Sequence, residues 1–384
     1  MPIRPSRRDA LRAATVTAAG VFAAPRVGGQ PPPAGLTVRM SEPQNLEPSF
    51  GELAGSWVTP TDQFFVRSHF ARPKIDLANY KLTVEGLVEN RLELTLADLQ
   101  KMATVTTPLT LECAGNGRVF LVPQVRGLQW GFGAVGNAEW TGVPLAAVLD
   151  RAKLKPGAAE VVLVGADTGA ITADPATPGV IHFDRSLPLD KARKPETVLA
   201  WAMNGQPLTD SHGAPLRAVV GGWYGMASVK WLTRVVVTDR PHQGYWQTFD
   251  YSVYARRNGT PTVVPIQGIQ PKASIARPSF GEVVPAGGVF VVKGLAWAGE
   301  ANVDRVDVST DGGATWAAAK LTGEAKPFCW RTWEFAWSVP AKPGAVKLVA
   351  RATDSRGTTQ PEKRDPDRRT YVINHLVPVE VTVR

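Results

Sequence analysis

The chain has 384 residues, is 44% hydrophobic and 20% charged, and carries a formal net charge of +9. These are the values of an ordinary globular protein, long enough for two or three domains and a sizeable core. The body of the chain has neither a Lys/Arg-rich run nor a nucleic-acid motif, so the positive balance points away from nucleic acid and towards small anions. The 36 Gly and 32 Pro imply many turns and favour a β-rich chain over a helical bundle.

Arg4, Arg7, Arg8 and Arg12 precede an apolar, small-residue stretch from Ala13 to Ala24. That order reads as an export signal over residues 1–24, cleaved near Val21–Ala24. The run S-R-R-D-A-L-R at Ser6–Arg12 resembles the twin-arginine (Tat) signal, although Ala10 stands where a large apolar residue is usual. The expectation is export to the periplasm, by the route that carries proteins already folded. No later stretch reaches ~18 apolar residues, so no membrane span is expected once the signal is removed. A linker rich in proline and glycine is expected over residues 25–39.

Residues 40–271 read as a first globular region. Tyr80–Gly86, Thr107–Glu112, Glu160–Gly165, Leu216–Val220 and Trp231–Thr238 read as strands. Thr95–Met102 reads as a helix with Thr95 as N-cap and Asp98 three residues on; Pro144–Ala152 reads as another. The elements mix without a regular βαβ rhythm, which argues against a doubly wound sheet. From Ala273 onward helical patterning is almost absent. Val289–Lys293, Val303–Ser309, Trp333–Trp337, Val346–Ala352 and Val379–Val383 read as short strands between turns, so residues 272–384 are expected to form an immunoglobulin-like β-sandwich. The run S-T-D-G-G-A-T-W at Ser309–Trp316 fits the Asp-box of sialidases, but it occurs once and reads better as a structural hairpin turn.

Cys113 and Cys329 are the only cysteines. In an exported protein they could pair, but their contexts differ. Cys113 ends the run T-P-L-T-L-E-C-A-G-N-G-R (Thr107–Arg118), a strand leading into a tight Gly/Asn turn. Its side chain can point into a cleft to which Arg118 can return its guanidinium. Nearby cations favour the thiolate, the form that binds soft metals. Cys329, between Phe328 and Trp330, reads as a packed core residue. No C-x-x-C-H exists for a covalent heme, and no cysteine cluster for zinc.

L-E-C-A-G-N-G-R (Leu111–Arg118) resembles the signature around the molybdenum-ligating cysteine of the sulfite oxidase family. Further segments follow in that family's order: F-F-V-R-S-H (Phe64–His69), G-L-Q-W-G-F-G-A-V (Gly127–Val135), W-T-G-V-P-L (Trp140–Leu145), M-N-G-Q-P-L (Met203–Leu208), H-G-A-P-L-R (His212–Arg217), S-V-K-W-L (Ser228–Leu232) and W-Q-T-F-D-Y (Trp246–Tyr251). The likeness covers roughly residues 40–384. It implies an α+β fold: a sulfite-oxidase-type molybdopterin-binding domain with mixed sheets, followed by an immunoglobulin-like dimerisation domain.

The resemblance also implies a molybdenum–molybdopterin cofactor with Cys113 as the protein's metal ligand. Arg67, Arg118 and Arg331 would line a pocket for a small sulfur oxyanion, with Trp130 as its apolar wall and Tyr251 assisting proton movement. Phe65, Val66, Arg67, Ser68, His69, Asp167 (in V-G-A-D), His212, Arg217, Ser228, Val229 and Lys230 would hold the pterin and its phosphate. Two positions depart from the family pattern: Gly117 replaces a frequent arginine, and Gly221 a common proline. The implied activity is oxidation of sulfite to sulfate, with no heme in this chain, an external acceptor such as a c-type cytochrome, and a homodimer. Two alternatives are a sulfane dehydrogenase-like enzyme acting on carrier-bound sulfur and a secreted β-sandwich binding protein without catalysis.

Overall fold

A computed structural model describes residues 35–384; the export signal and most of the linker expected before them lie outside the described residues. The linker reading fails at its end. Leu36–Met40 is a strand, paired antiparallel with Asn45–Pro48. Arg39 donates to the buried Glu47, and this ion pair ties the strand down.

The first region is built on two five-stranded sheets. In one, Val105–Glu112 pairs with Val135–Pro144, which pairs with Thr197–Met203; Gln206–Pro207 and Arg217–Val220 add to that last strand. In the other the order is Leu92–Leu94, Leu82–Gly86, Leu232–Thr238, Glu160–Gly169 and Ile181–Pro188. Leu232–Thr238 runs parallel to Leu82–Gly86 and antiparallel to Glu160–Gly169, so the sheet is mixed. The helices are short. Leu96–Gln100 has the expected N-cap, Thr95, and the acid three residues on completes a capping box: Thr95 Oγ1 accepts from the Asp98 N–H, and the Thr95 N–H donates to the Asp98 carboxylate. Leu145–Ala152 buries Leu145, Val148, Leu149 and Ala152, the stripe its 3.6-residue period predicts.

Sheet membership changes between Pro265 and Lys272. The second region is a sandwich of a four-stranded sheet (Lys272–Arg277, Val289–Trp297, Arg331–Ser338, Lys320–Thr322) and a five-stranded one (Val283–Val284, Val379–Val383, Gly344–Asp354, Val303–Ser309, Ala317–Ala318). Its core includes Val292, Val306, Trp333, Leu348 and Val381. The Asp-box-like run is a structural turn: Asp311 accepts from Ser309 Oγ and from the Thr315 N–H and hydroxyl, closing the hairpin between Val303–Ser309 and Ala317–Ala318.

The two regions share apolar material. Leu295, Trp297, Trp330, Tyr371 and Val372 of the second are buried in the core of the first. Both cysteines are free and buried. Cys329 donates its thiol to the Pro108 carbonyl at 3.2 Å, and burial pushes its pKa up to about 12, as befits a packed core residue.

Candidate active site

A cavity opens beside the end of Val105–Glu112. The strand brings Leu109 and Leu111 into the core and then stops. The Cys113 N–H donates to the Ala134 carbonyl (2.9 Å), and the Asn116 N–H returns to the Cys113 carbonyl (2.9 Å). This tight turn leaves the Cys113 thiol lining the cavity.

The glycines of the turn have separate reasons. Gly117 has φ +95°, a left-handed conformation costly for a side chain, and an added Cβ would press on Ile373. The glycine in place of an arginine suits the left-handed backbone of this loop. A Cβ on Gly115 or Gly127 would lie within 3 Å of the Arg118 guanidinium. The two glycines form a slot, in which Arg118 donates to the carbonyls of Leu128 (2.8 Å) and Thr370 (3.1 Å) and lies 5.2 Å from the centre of the Tyr371 ring.

The segment Phe64–His69 crosses the cavity as extended chain, fastened by reciprocal hydrogen bonds between Val66 and Leu46. Phe64, Phe65, Arg67, Ser68 and His69 line the cavity. Arg67 donates to the Ser68 carbonyl and reaches Asn45 Oδ1 and the Tyr251 hydroxyl, both at 3.4 Å. Tyr251 follows the π-helical turn Trp246–Asp250, and its hydroxyl lies 2.6 Å from His69 Nε2. His69 stacks on Phe183 with ring centres 4.1 Å apart. Burial raises the Tyr251 pKa and lowers that of His69, the latter helped by Arg67. Tyr251 therefore keeps its proton, and His69 is neutral.

A second set lines the same cavity: Asp167, His212, Arg217, Ser228 and Lys230. Arg217 donates to the carbonyls of His212 and Ser228, both at 3.0 Å, and lies 4.9 Å from the centre of the Trp140 ring. Lys230 donates to Ser68 Oγ (3.0 Å) and the Ser211 carbonyl (2.9 Å). Burial brings Arg217 down to about 9 and Lys230 well below its ordinary value, and pushes Asp167 up to about 6. Asp167 Oδ1 is buried without a hydrogen-bond partner. Such a group calls for a donor that the protein does not supply.

Burial pushes His212 down to about 3 from 6.5, with Arg217 and Lys230 adding to the effect. An unfolded chain would bind a proton at His212 in that window and the folded one would not, so folded stability falls as pH drops from 6.5 towards 3. The stability gap between the wild type and His212→Gln is expected to narrow by on the order of 4 kcal/mol across it, read from urea titrations. A constant gap would contradict a buried neutral histidine.

The structure corrects several expectations. Arg331 does not reach the cavity. It begins the strand Arg331–Ser338 in register with Ala296, and its Nε donates to the Thr322 carbonyl, which holds the side chain within the sandwich. Trp130 is completely buried in the apolar cluster that contains Cys113, behind the cavity wall and not on it. Arg118 also does not line the cavity; two main-chain carbonyls hold it, and it acts on Cys113 through its charge. Val66 and Val229 place their side chains in the protein interior and do not line the cavity; their main chains hydrogen-bond to Leu46 and Ala218. Neighbouring cations do not by themselves lower the thiol pKa: burial raises Cys113 against the pull of Arg67 and Arg118.

Phe183, Ser211, Gly225, Met226 and Trp231 line the cavity without having been expected to. Trp231 lies within the motif Ser228–Leu232 but was not singled out there, and Ser211 directly precedes the motif that begins at His212. Phe183 arrives from Ile181–Pro188, a strand with no motif of its own. Arg185 of the same strand is fully buried and donates to the carbonyls of Trp246 and Ile266, bracing the turn before Tyr251.

The residues fit a pterin-bound metal. Among the described residues no cluster of three or more His, Cys, Asp or Glu side chains forms a metal site. A metal at Cys113 would therefore bring its other ligands with it, and a thiol suits a soft one. Arg217 and Arg67 donate only to neutral acceptors, so their charge is free to meet a phosphate or other anion.

Fold and cavity together define a molybdopterin-binding oxidoreductase. Residues 69–246 match the oxidoreductase molybdopterin binding domain, and residues 264–381 match the Mo-co oxidoreductase dimerisation domain. The chain is 36% identical to sulfite oxidase of Gallus gallus over 89% of this chain and 76% of that protein. It is 37% identical to mitochondrial sulfite oxidase of Rattus norvegicus over 86% of this chain, but spans only 62% of that protein's length. The sulfane dehydrogenase SoxCD from Paracoccus pantotrophus superposes with a TM-score of 0.76 at 30% identity, covering 88% of this chain and 84% of that one. The chain belongs to the sulfite oxidase family.

Proposed function

We propose that this chain oxidises sulfite to sulfate at a pterin-bound molybdenum whose protein ligand is the Cys113 thiolate. The carrying observation is the convergence of the Cys113 thiol, the Arg67 guanidinium and the Tyr251 hydroxyl on one cavity. Molybdenum in a pterin supplies oxygen-atom transfer and takes up the two electrons released when sulfite and water give sulfate and two protons. The protein's part is binding and positioning. Arg67 meets the anion, with its fork held by the Ser68 carbonyl and Asn45. Tyr251, hydrogen-bonded to neutral His69, holds a proton that it can donate to an oxygen of the substrate. Arg217, His212, Ser228 and Lys230 would hold the pterin's phosphate, and the buried, unpartnered Asp167 carboxyl would take a hydrogen bond from the pterin.

The proposal extends to the surroundings of the enzyme. Electrons leave to an external acceptor, a c-type cytochrome, and the twin-arginine-like run around Arg7 and Arg8 sends the folded protein to the periplasm. The second region pairs two copies, in keeping with the dimerisation domain it matches.

A second reading has one specific support, the superposition on a sulfane dehydrogenase, together with the finding that only Arg67 of the three expected arginines lines the cavity. Steady-state assays of the molybdenum-loaded protein with ferricyanide separate the two readings. Sulfite is expected to turn over at least about tenfold faster than thiosulfate, a barrier difference of ~1.4 kcal/mol. No turnover of sulfite, with oxidation of a carrier-bound sulfane, would replace the first reading by the second.

A further inference from the structure

The residue just before Cys113 belongs to a buried ionic network that starts in the second region. Glu112 and Lys272 are 1% and 2% exposed, and Lys272 Nζ lies 3.0 Å from Glu112 Oε1. Lys272 also donates to the Asn116 carbonyl at 3.0 Å. Glu112 Oε2 accepts from Trp297 Nε1 at 2.8 Å, and Oε1 accepts from Asn116 Nδ2 at 3.1 Å. Asn116 in turn holds the Ala134 N–H through its Oδ1 (3.1 Å) and the Cys113 carbonyl through its own N–H (2.9 Å). Lys272 and Trp297 stand on Lys272–Arg277 and Val289–Trp297, adjacent strands of the sandwich.

Two hydrogen bonds to the segment Thr370–Val372 fasten the same loop from the same side, one of them from the Arg118 side chain. The Val372 N–H donates to the Ala114 carbonyl (2.8 Å), and the Thr370 carbonyl accepts from Arg118 (3.1 Å). The loop Glu112–Arg118 is therefore held on both flanks of Cys113 by the second region.

A buried ion pair is a costly way to join two regions, because desolvation offsets most of the attraction, and an apolar pair of similar volume stabilises as well or better. Adhesion between the regions is already supplied by Leu295, Trp297, Trp330, Tyr371 and Val372. What the pair adds is direction. Its hydrogen bonds link Trp297 of the sandwich to Glu112 and Asn116, which flank Cys113, and its charges stand in a dry surround where they are little screened.

We propose that Lys272 is a positioning residue for Cys113: acting through Glu112 and Asn116, it sets where the thiolate meets the metal. The second region is then part of the metal centre's scaffold as well as a dimerisation module. The inference rests on Cys113 being the metal's protein ligand, as proposed above.

The test uses the molybdenum-loaded full chain and two readouts, the thiolate-to-molybdenum charge-transfer absorption and steady-state turnover. The double variant Glu112→Gln with Lys272→Met removes both charges and leaves no unpaired ion. It is expected to bind molybdenum in wild-type amount, to shift the charge-transfer band, and to lower kcat about tenfold with KM for sulfite unchanged. Lys272→Arg, which keeps the charge, is expected to restore the band towards the wild-type position. A folded, loaded double variant with wild-type absorption and kcat would overturn the proposal. If the double variant does not fold, Trp297→Phe, which removes one donor to Glu112 and keeps an aromatic ring there, carries the test: a shifted band supports the proposal and an unshifted one overturns it. Cys113→Ser separates the two levels. If it leaves the band in place, the ligand assignment itself is wrong; if it abolishes the band while the network variants leave it unmoved, only the role of Lys272 fails.

Discussion

Replacement of Cys113 by Ser is expected to lower sulfite turnover to below about a thousandth of the wild-type rate, a barrier increase of ~4 kcal/mol. The cavity lining holds one thiol, that of Cys113, with Arg67 and Arg118 acting on it through their charge. A serine hydroxyl is a hard donor with a far higher pKa, so the soft metal loses the charge that the thiolate supplies. The fold should survive. Cys113 is 7% exposed and its main chain is fixed by Ala134 and Asn116, so burying a hydroxyl there costs about 1–2 kcal/mol. Turnover and urea unfolding, measured on one preparation, distinguish a lost ligand from a lost fold. Turnover within tenfold of wild type would contradict the assignment.

Arg67→Met is expected to lower kcat/KM for sulfite about 100-fold, mainly through KM, a loss of ~2.7 kcal/mol of binding to a desolvated anion. Arg67 is the expected substrate arginine that the cavity contains, and it also supports the Tyr251 hydroxyl. Arg331→Met is the matched control. Its guanidinium is held at the Thr322 carbonyl in the sandwich, so kcat/KM should stay within about twofold of wild type. Equal effects of the two substitutions would mean that Arg331 reaches the substrate after all, and would contradict the placement described above.

What could be read from the chain, and what could not, follows from how far apart the determinants lie. The turn at Cys113 was legible because Gly115, Asn116 and Gly117 are its own neighbours and a left-handed residue needs glycine. The helix start at Thr95 was legible because an N-cap with an acid three residues on is a local signal. The sandwich strands were legible from short runs such as Val303–Ser309 and Val379–Val383, set between turns. Side-chain direction was another matter. Arg331 begins a strand that was read only from Trp333 onward, and the face it takes is set by register against Ala296, thirty-five positions away in sequence. Trp130 sits in a motif, yet the packing of Cys113's cluster decides that it is buried behind the wall.

The cavity's electrostatics were the least legible part. Nearby cations favour a thiolate, but burial outweighs them at Cys113, and burial is a property of the whole fold. Lys272 and Glu112 are 160 positions apart, and no local pattern marks either as one half of an ion pair. Phe183 and Arg185 brace His69 and the turn before Tyr251 from a strand that carries no motif. Motifs mark residues that touch the cofactor or the chemistry; the side chains that hold those residues in place come from wherever the fold brings a strand past them.

X-ray absorption at the molybdenum edge, on loaded wild-type protein and on Cys113→Ser, tests the central assignment most directly. The wild-type metal is expected to show one more sulfur neighbour than the variant, since the only thiol lining the cavity is that of Cys113. An identical sulfur count in the two proteins would place the metal away from Cys113 and contradict the account.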